Sequence, residues 1–237
     1  MTDKPIFESA RDIYAWGAPE SFGEEGPDVL VPQDIEELVL DVSAGSDYTL
    51  LILADGSAAV GGNIVDPDEY QGHFGCGCAV LEGPNPLVPI VEVIDLNGDL
   101  IPAPPIWSKL VAGADSSGSG RMHSVFIDDD GNVYAAGNND LGQLCLGDDE
   151  SRIFPTQIEL PNNERAESAA VGGDFTLILG TSGTVYGCGS FFEAELEDIG
   201  LVDVKTISAG LNFALIHADD GLYVMGDNTF GTSHHCM

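Results

Sequence analysis

The chain has 237 residues, 40 of them acidic and only seven basic, so its formal net charge is −33. Hydrophobic residues make up 43% of the sequence, which excludes the apolar-poor composition of an acidic disordered protein. No basic patch could displace counterions from phosphates, so nucleic acid is excluded as a partner. Aspartate is abundant and lysine is nearly absent, which favours a halophilic source over a merely acidic mesophilic protein because molar salt screens the repulsion between surface carboxylates.

The N-terminal residues predict the start of a β-rich domain. Residues 1–17 contain no apolar run long enough for a signal peptide or a transmembrane segment, so we expect no membrane insertion, and a location in the cytoplasm or in a virion of a halophile. Strands are expected at 4–10 and 13–17, followed by an outer strand at 30–35 and a new strand from 38 to 44.

A supersecondary unit then recurs along the chain. In its clearest copy, RMHSVFIDDDGNVYAAGNNDLGQLCLG at 121–147, an apolar strand, an acidic glycine turn and a second strand are followed by a polar loop. Four turn glycines align: Gly56, Gly131, Gly183 and Gly221. Eight residues before each of them stands an aromatic residue or histidine: Tyr48, His123, Phe175 and Phe213. Further glycines recur eleven residues before the turn and at the end of the second strand.

These residues resemble the repeat of the regulator of chromosome condensation family, with Cys145 where the family usually has glycine. The resemblance covers about four-fifths of the chain and excludes 65–107. It implies an all-β fold, a single closed β-propeller of about five four-stranded blades. The first unit lacks an inner strand and the last lacks an outer one, so strands from both termini are expected to close the ring.

Two segments interrupt the repeat, one at about 65–107 and one at 114–121, within a single domain spanning 1–237. From Gly98 to Gly131 there are only 33 residues, too few for the four strands of a further blade, so we interpret the longer segment as an outer strand plus an inserted hairpin that turns at Asn97-Gly98. Asp95, Asn97 and Asp99 lack the distal glutamate of a calcium loop, so a hairpin turn is the better interpretation.

Histidines and cysteines offer two candidate zinc-ligand clusters. We nevertheless predict no metal and no cofactor, because the Cys-Gly-Cys spacing is not that of a structural zinc site. The clusters are His73, Cys76 and Cys78, and His234, His235 and Cys236. Cys145 and Cys188 are expected to be small, reduced, buried residues, since no secretory signal is present. His123 shares its repeat position with aromatic residues, which favours packing over catalysis.

No nucleophile with its base and no phosphate-binding glycine loop stands out, which favours a non-enzymatic binding module over a hydrolase or lyase. The insertions would form the contact surface, with Tyr70, His73, Phe74 and Trp107 as its candidate residues. Partners would be other proteins: subunits of a larger assembly, such as an exposed virion or host-attachment structure, or a cell-surface receptor. The alternative is an intracellular regulator, because the resemblance implies guanine-nucleotide exchange on a small GTPase or a scaffold role.

The charge predicts that stability depends on salt. We expect the thermal unfolding midpoint, followed by circular dichroism, to rise between about 0.2 M and molar salt, because cations screen the mutual repulsion of the carboxylates. A midpoint that is the same at both salt concentrations would contradict this prediction.

Overall fold

A computed structural model describes residues 12–15, 31–34, 39–45, 48–62, 88–90, 92–101, 105–113, 122–192 and 194–226. Within these ranges the secondary structure is almost entirely β, with a 3-10 turn at Pro161–Asn163. None of the residues described forms a helix that is long and apolar enough to cross a membrane.

The strands follow one another in hairpins. They are β1 (Asp12–Ala15), β2 (Val31–Asp34), β3 (Val39–Ala44), β4 (Tyr48–Leu53), β5 (Ala58–Gly62), β6 (Val88–Pro89), β7 (Val93–Ile94), β8 (Leu100–Ile101), β9 (Trp107–Ala112), β10 (His123–Asp128), β11 (Val133–Gly137), β12 (Arg152–Ile158), β13 (Ala166–Val171), β14 (Phe175–Gly180), β15 (Val185–Gly189), β16 (Glu197–Asp198), β17 (Val204–Ala209), β18 (Phe213–Ala218) and β19 (Gly221–Gly226).

These strands form five sheets, which we number in chain order. Sheet 1 pairs β1 with β2, sheet 2 contains β3 to β6, sheet 4 contains β13 to β16, and sheet 5 contains β17 to β19. Sheet 3 has six strands in the order β8-β7-β12-β11-β10-β9. The all-β propeller architecture expected from the repeats is therefore confirmed. Over the described residues the first sheet has two strands and the last has three. The strand expected at 4–10 and the residues after Gly226 lie outside the described ranges, so the incomplete end units and the closure of the ring stay predictions.

Gly56, Gly131 and Gly183 lie in the turns β4–β5, β10–β11 and β14–β15, as predicted, and Gly221 is the first residue of β19, directly after the turn at Asp219-Asp220. Gly56, Gly131 and Gly183 have φ angles of 82°, 77° and 85°. This left-handed conformation is one that glycine adopts without steric cost. The acidic residue before the turn also has a structural role, since the Asp128 carboxylate accepts hydrogen bonds from the backbone and the side chain of Asn132.

The hairpin predicted at Asn97-Gly98 is present as β7–β8. The Asp95 carboxylate accepts hydrogen bonds from the backbone N–H groups of Asn97 and Asp99, which lower the pKa of Asp95. The sequence did not predict where this hairpin attaches: β7 lies parallel to β12, with Thr156 opposite Ile94, and extends sheet 3 outward. The segment after Gly189 also contains an outer strand, β16, whose two residues pair with Tyr186 and Gly187.

Apolar cores lie between neighbouring sheets, and each sheet contributes the side chains of one face to the core that it shares with the next sheet. We call the side of a sheet that packs against the next sheet along the chain its outgoing face. The outgoing faces of sheets 2, 3 and 4 are completely covered, and the side chains at their centres are at most 2% exposed. These central residues are Leu50 and Ile52 in sheet 2, Val125 and Ile127 in sheet 3, and Leu177 and Leu179 in sheet 4.

A backbone hydrogen bond is repeated at each of these three junctions. The carbonyl of the turn glycine accepts a hydrogen bond from the N–H of the first residue in the inner strand of the next sheet. The pairs are Gly56 with Trp107 at 2.9 Å, Gly131 with Ala166 at 2.9 Å, and Gly183 with Val204 at 3.0 Å. The same repeat position therefore turns the chain within one sheet and fixes the position of the next.

The close approach at Gly131 predicts a cost for any side chain there. We expect Gly131→Ala to lower the free energy of unfolding by about 1–2 kcal/mol more than Gly98→Ala, because an added Cβ would lie 2.9 Å from Cβ of Arg165 in the next sheet. Gly98 is the matched control, since its φ of 80° carries the same conformational penalty but no heavy atom of the described residues lies within 4 Å of an added Cβ. Urea denaturation of both variants measures the difference, and equal losses would contradict the prediction.

Candidate functional site

The antiparallel strands place their connecting loops at two opposite ends of the sheets. The loops between the first and second strands and between the third and fourth strands leave from one end, which we call the loop face. It carries residues 138–151 and 190–196. The chain also enters 63–87 and 114–121 from this face, and those segments lie outside the described residues. The turn glycines lie at the other end, the turn face.

Two buried amide side chains hold the loop at 138–151 in one conformation. Asn139 donates from Nδ2 to the Asp148 carbonyl at 2.8 Å and accepts from the Leu144 N–H at 2.8 Å. Gln143 donates to Oδ1 of Asn138 at 2.8 Å and accepts from the backbone N–H of Leu141 at 3.0 Å. The amides in the NNDLGQL stretch are therefore explained by backbone groups that the loop could not satisfy by itself.

An ion pair closes the far end of the same loop. Arg152 donates from a guanidinium nitrogen to Asp148 at 2.6 Å, four residues earlier in the chain. Partial burial of Asp148 favours its neutral form. The hydrogen bonds from Arg152 and from the backbone N–H of Glu150 outweigh this effect, so the pKa of Asp148 is lowered.

A disulfide ties this loop to the next sheet. Cys145 and Cys188 are bonded, with their Cα atoms 5.3 Å apart. The expectation that both are reduced is therefore wrong, because the loop conformation brings together residues that are 43 positions apart. Cys145 has a φ of 60°, a conformation that suits the glycine usual at this repeat position. Closing a loop of this length stabilises the folded state by about 4 kcal/mol in the chain-entropy description.

The loops of sheets 3 and 4 touch each other directly. A Cβ at Gly142 would lie 2.4 Å from Cα of Ala194, and the Gly147 N–H donates to the Ala194 carbonyl at 3.2 Å. Two large apolar side chains remain exposed on these fixed loops, Leu141 at 43% and Phe191 at 38%. We call Leu141 and Phe191, together with the exposed acidic residues Asp140, Glu150 and Glu195, the loop patch. The sequence did not reveal it, since Leu141 belongs to the ordinary repeat pattern.

Of the four contact residues predicted from sequence, the structure describes only Trp107. Tyr70, His73 and Phe74 lie outside the described residues. Trp107 is only 2% exposed and packs between sheets 2 and 3, with its ring 5.4 Å from that of Phe126 and 5.3 Å from that of Tyr134. We correct its assignment: a tryptophan at the start of an inner strand fills the junction between two blades and is not available to a partner.

The repeated aromatic position joins each sheet to the next. Tyr48 bonds through its hydroxyl to Ser124 Oγ at 2.7 Å, and His123 bonds through Nε2 to Thr176 Oγ1 at 2.8 Å. Thr176 donates its own proton to the Gln143 carbonyl at 2.7 Å, so His123 is the donor to Thr176. Nδ1 of His123 is buried without a partner among the described residues. Burial lowers the pKa of His123 to about 3 and raises that of Tyr48 to about 12, so both are neutral packing residues.

The described ranges contain no cluster of three or more metal-ligating side chains. The two clusters considered from sequence, His73 with Cys76 and Cys78 and the C-terminal His234 to Cys236, both fall outside those ranges. The absence of a metal therefore stays a prediction.

Comparison with known proteins agrees with this repeat architecture. Residues 130–179 match the family model described as "Regulator of chromosome condensation (RCC1) repeat". The mouse X-linked retinitis pigmentosa GTPase regulator is 31% identical over 129 residues, which cover 47% of this chain and 13% of that protein. The Arabidopsis thaliana ultraviolet-B receptor UVR8 is 24% identical over 247 residues, which cover 94% of this chain and 51% of the receptor.

A solved structure shows the same fold. Prp20p from Saccharomyces cerevisiae superposes with a TM-score of 0.67 at 18% identity, over 91% of this chain and 54% of that one. The chain thus spans about half the length of such relatives or less.

The buried histidine predicts a specific dependence on pH. The unfolded chain binds a proton at His123 below about pH 6.5, whereas the folded state binds it only near pH 3, so stability falls as the pH falls between these values. We expect His123→Phe, which introduces the residue found at this position in sheets 4 and 5, to reduce the loss of unfolding free energy between pH 7 and pH 5 by about 2 kcal/mol. Urea denaturation at constant molar salt measures both proteins, and an unchanged loss in the variant would contradict the prediction.

Proposed function

We propose, from the premise that this chain is a β-propeller built from regulator of chromosome condensation repeats, that it is a non-enzymatic module that binds another protein through its loop face. The observation that carries the proposal is the loop patch, an exposed apolar pair on loops that the rest of the structure holds rigidly. Recognition residues commonly lie on loops over a rigid scaffold.

The rigidity of the patch supports binding because little conformational entropy remains to be lost. The loop that carries Leu141 is fixed by Asn139, Gln143 and the disulfide of Cys145, and it contacts the loop that carries Phe191 and Ala194. The inserted segments 63–87 and 114–121 leave from the same face, so they could widen this surface.

The chemistry of the patch indicates the kind of partner. Leu141 and Phe191 need an apolar recess, and the acidic side chains of Asp140, Glu150 and Glu195 favour basic or donor groups around it. With a net charge of −33 the protein would work best in molar salt, where long-range steering is screened and affinity rests on short-range packing and hydrogen bonds.

The assembly in which this module acts stays a prediction from sequence. An exposed virion or host-attachment component of a halophile needs a stable acidic protein with a contact surface, and the loop patch is compatible with such a role. A cell-surface receptor is an equally suitable partner for the same surface.

A regulator of a small GTPase is the second candidate, because one relative is named as a GTPase regulator. That similarity covers less than half of this chain. Faster release of labelled GDP from a small GTPase in the presence of the chain would favour this candidate over a purely structural module.

The test is affinity capture in molar salt from a halophile extract, comparing the wild-type chain with Leu141→Ala/Phe191→Ala. We expect the double variant to capture about tenfold less partner than the wild-type chain, because two central contacts each contribute about 1 kcal/mol or more. The matched control is Leu96→Ala/Val202→Ala, which removes two exposed apolar side chains elsewhere. Equal capture by both double variants would contradict the proposal.

A further inference from the structure

The last sheet differs from the others in what lies on its outgoing face. Strand pairing places Leu215 opposite Val224 and His217 opposite Leu222, on the side away from sheet 4. We call these four residues, together with Phe213, the end face. Leu222 is 60% exposed and Val224 is 38% exposed, whereas the equivalent residues of sheets 2 to 4 are completely buried.

Sheet 5 has the aromatic residue and the glycine that contact the next sheet at the other junctions, but here these two residues have no such contact among the described residues. Phe213 occupies the same repeat position as Tyr48, His123 and Phe175. Those three side chains are buried, whereas Phe213 is only partly buried. Gly221 occupies the position of the turn glycines, and no heavy atom of the described residues lies within 4 Å of an added Cβ there. At Gly56, Gly131 and Gly183 an added Cβ would lie 2.3, 2.9 and 3.3 Å from the residue that directly precedes the inner strand of the next sheet. Among the described residues, the end face therefore has the residues of an inter-blade surface, but no further sheet packs against it.

We propose that the end face binds a second copy of this chain. Each of the three junctions within the chain packs an outgoing face of this kind against another sheet of the same repeat, so a second copy offers a surface of the right chemistry. Two-fold dimers are the commonest oligomers of soluble proteins.

Charge sets the condition for this association. Each copy carries a net charge of −33, so two copies repel each other in dilute salt, and the apolar contact can dominate only when that repulsion is screened. We expect the dimer in molar salt and its dissociation at low salt. This inference does not depend on the loop patch, which lies on the loop face.

Sedimentation equilibrium of the full chain in molar salt tests the proposal. We expect a species of twice 24.8 kDa at micromolar concentration and its loss in Leu222→Lys/Val224→Lys, which places two charges on the end face. The matched control, Leu96→Lys/Ile153→Lys, adds the same charge at similarly exposed positions and should remain dimeric. A monomer at every concentration, a larger oligomer, or a dimer insensitive to the end-face variant would overturn the proposal.

Hydrogen exchange of the unmodified chain provides a second measurement that needs no variant. Amide protection in β18 and β19 should increase with protein concentration in molar salt, while protection in β10 and β11, which lie between covered faces, should not change. Protection of β18 and β19 that is independent of concentration would also overturn the proposal.

Discussion

The burial of the outgoing faces of sheets 2, 3 and 4 beneath the next sheet is the constraint on which the rest of this structure depends. No single sheet could be stable alone, since its apolar side chains project from both faces. The turn glycine serves both the hairpin and the junction between sheets. It reverses the chain within one sheet, and its carbonyl accepts a hydrogen bond from the inner strand of the next sheet, as Gly131 does from Ala166. Position in the stack is thus fixed by backbone geometry, while the apolar cores provide most of the stabilisation.

Fixed junctions leave other positions free to vary. The aromatic position is tyrosine in sheet 2, histidine in sheet 3 and phenylalanine in sheets 4 and 5, and the polar members bond to a hydroxyl of the next sheet. Thr176 still has the Gln143 carbonyl as its acceptor, so the junction does not require the imidazole. The loops vary further still, and for this reason the candidate contact surface lies on them.

The acidic surface is hardly neutralised from within. Among the described residues, Arg152 pairs with Asp148 at 2.6 Å and with Glu150 at 4.0 Å, and the exposed Lys205 pairs with Asp219 at 3.1 Å. Lys109 donates instead to the backbone carbonyl of Glu167, and Arg165 to the side-chain carbonyl of Asn132, so these cations join neighbouring sheets rather than cancel carboxylates. Exposed ion pairs contribute little to stability, and screening must therefore come from the medium.

The sequence by itself determined the repeat, the strands and the turns. Apolar runs around Val125 and Leu177 and glycines at fixed spacing are local signals, and each has a local physical cause in strand burial or backbone conformation. The tertiary structure alone decided the pairing of Cys145 with Cys188, the burial of Trp107 and the attachment of β7 beside β12. It also decided that Leu141 and Phe191 are exposed on loops in contact and that Leu222 and Val224 of the end face are exposed. These features depend on which distant segments meet, and a repeat pattern does not encode this because it is the same in covered and uncovered units.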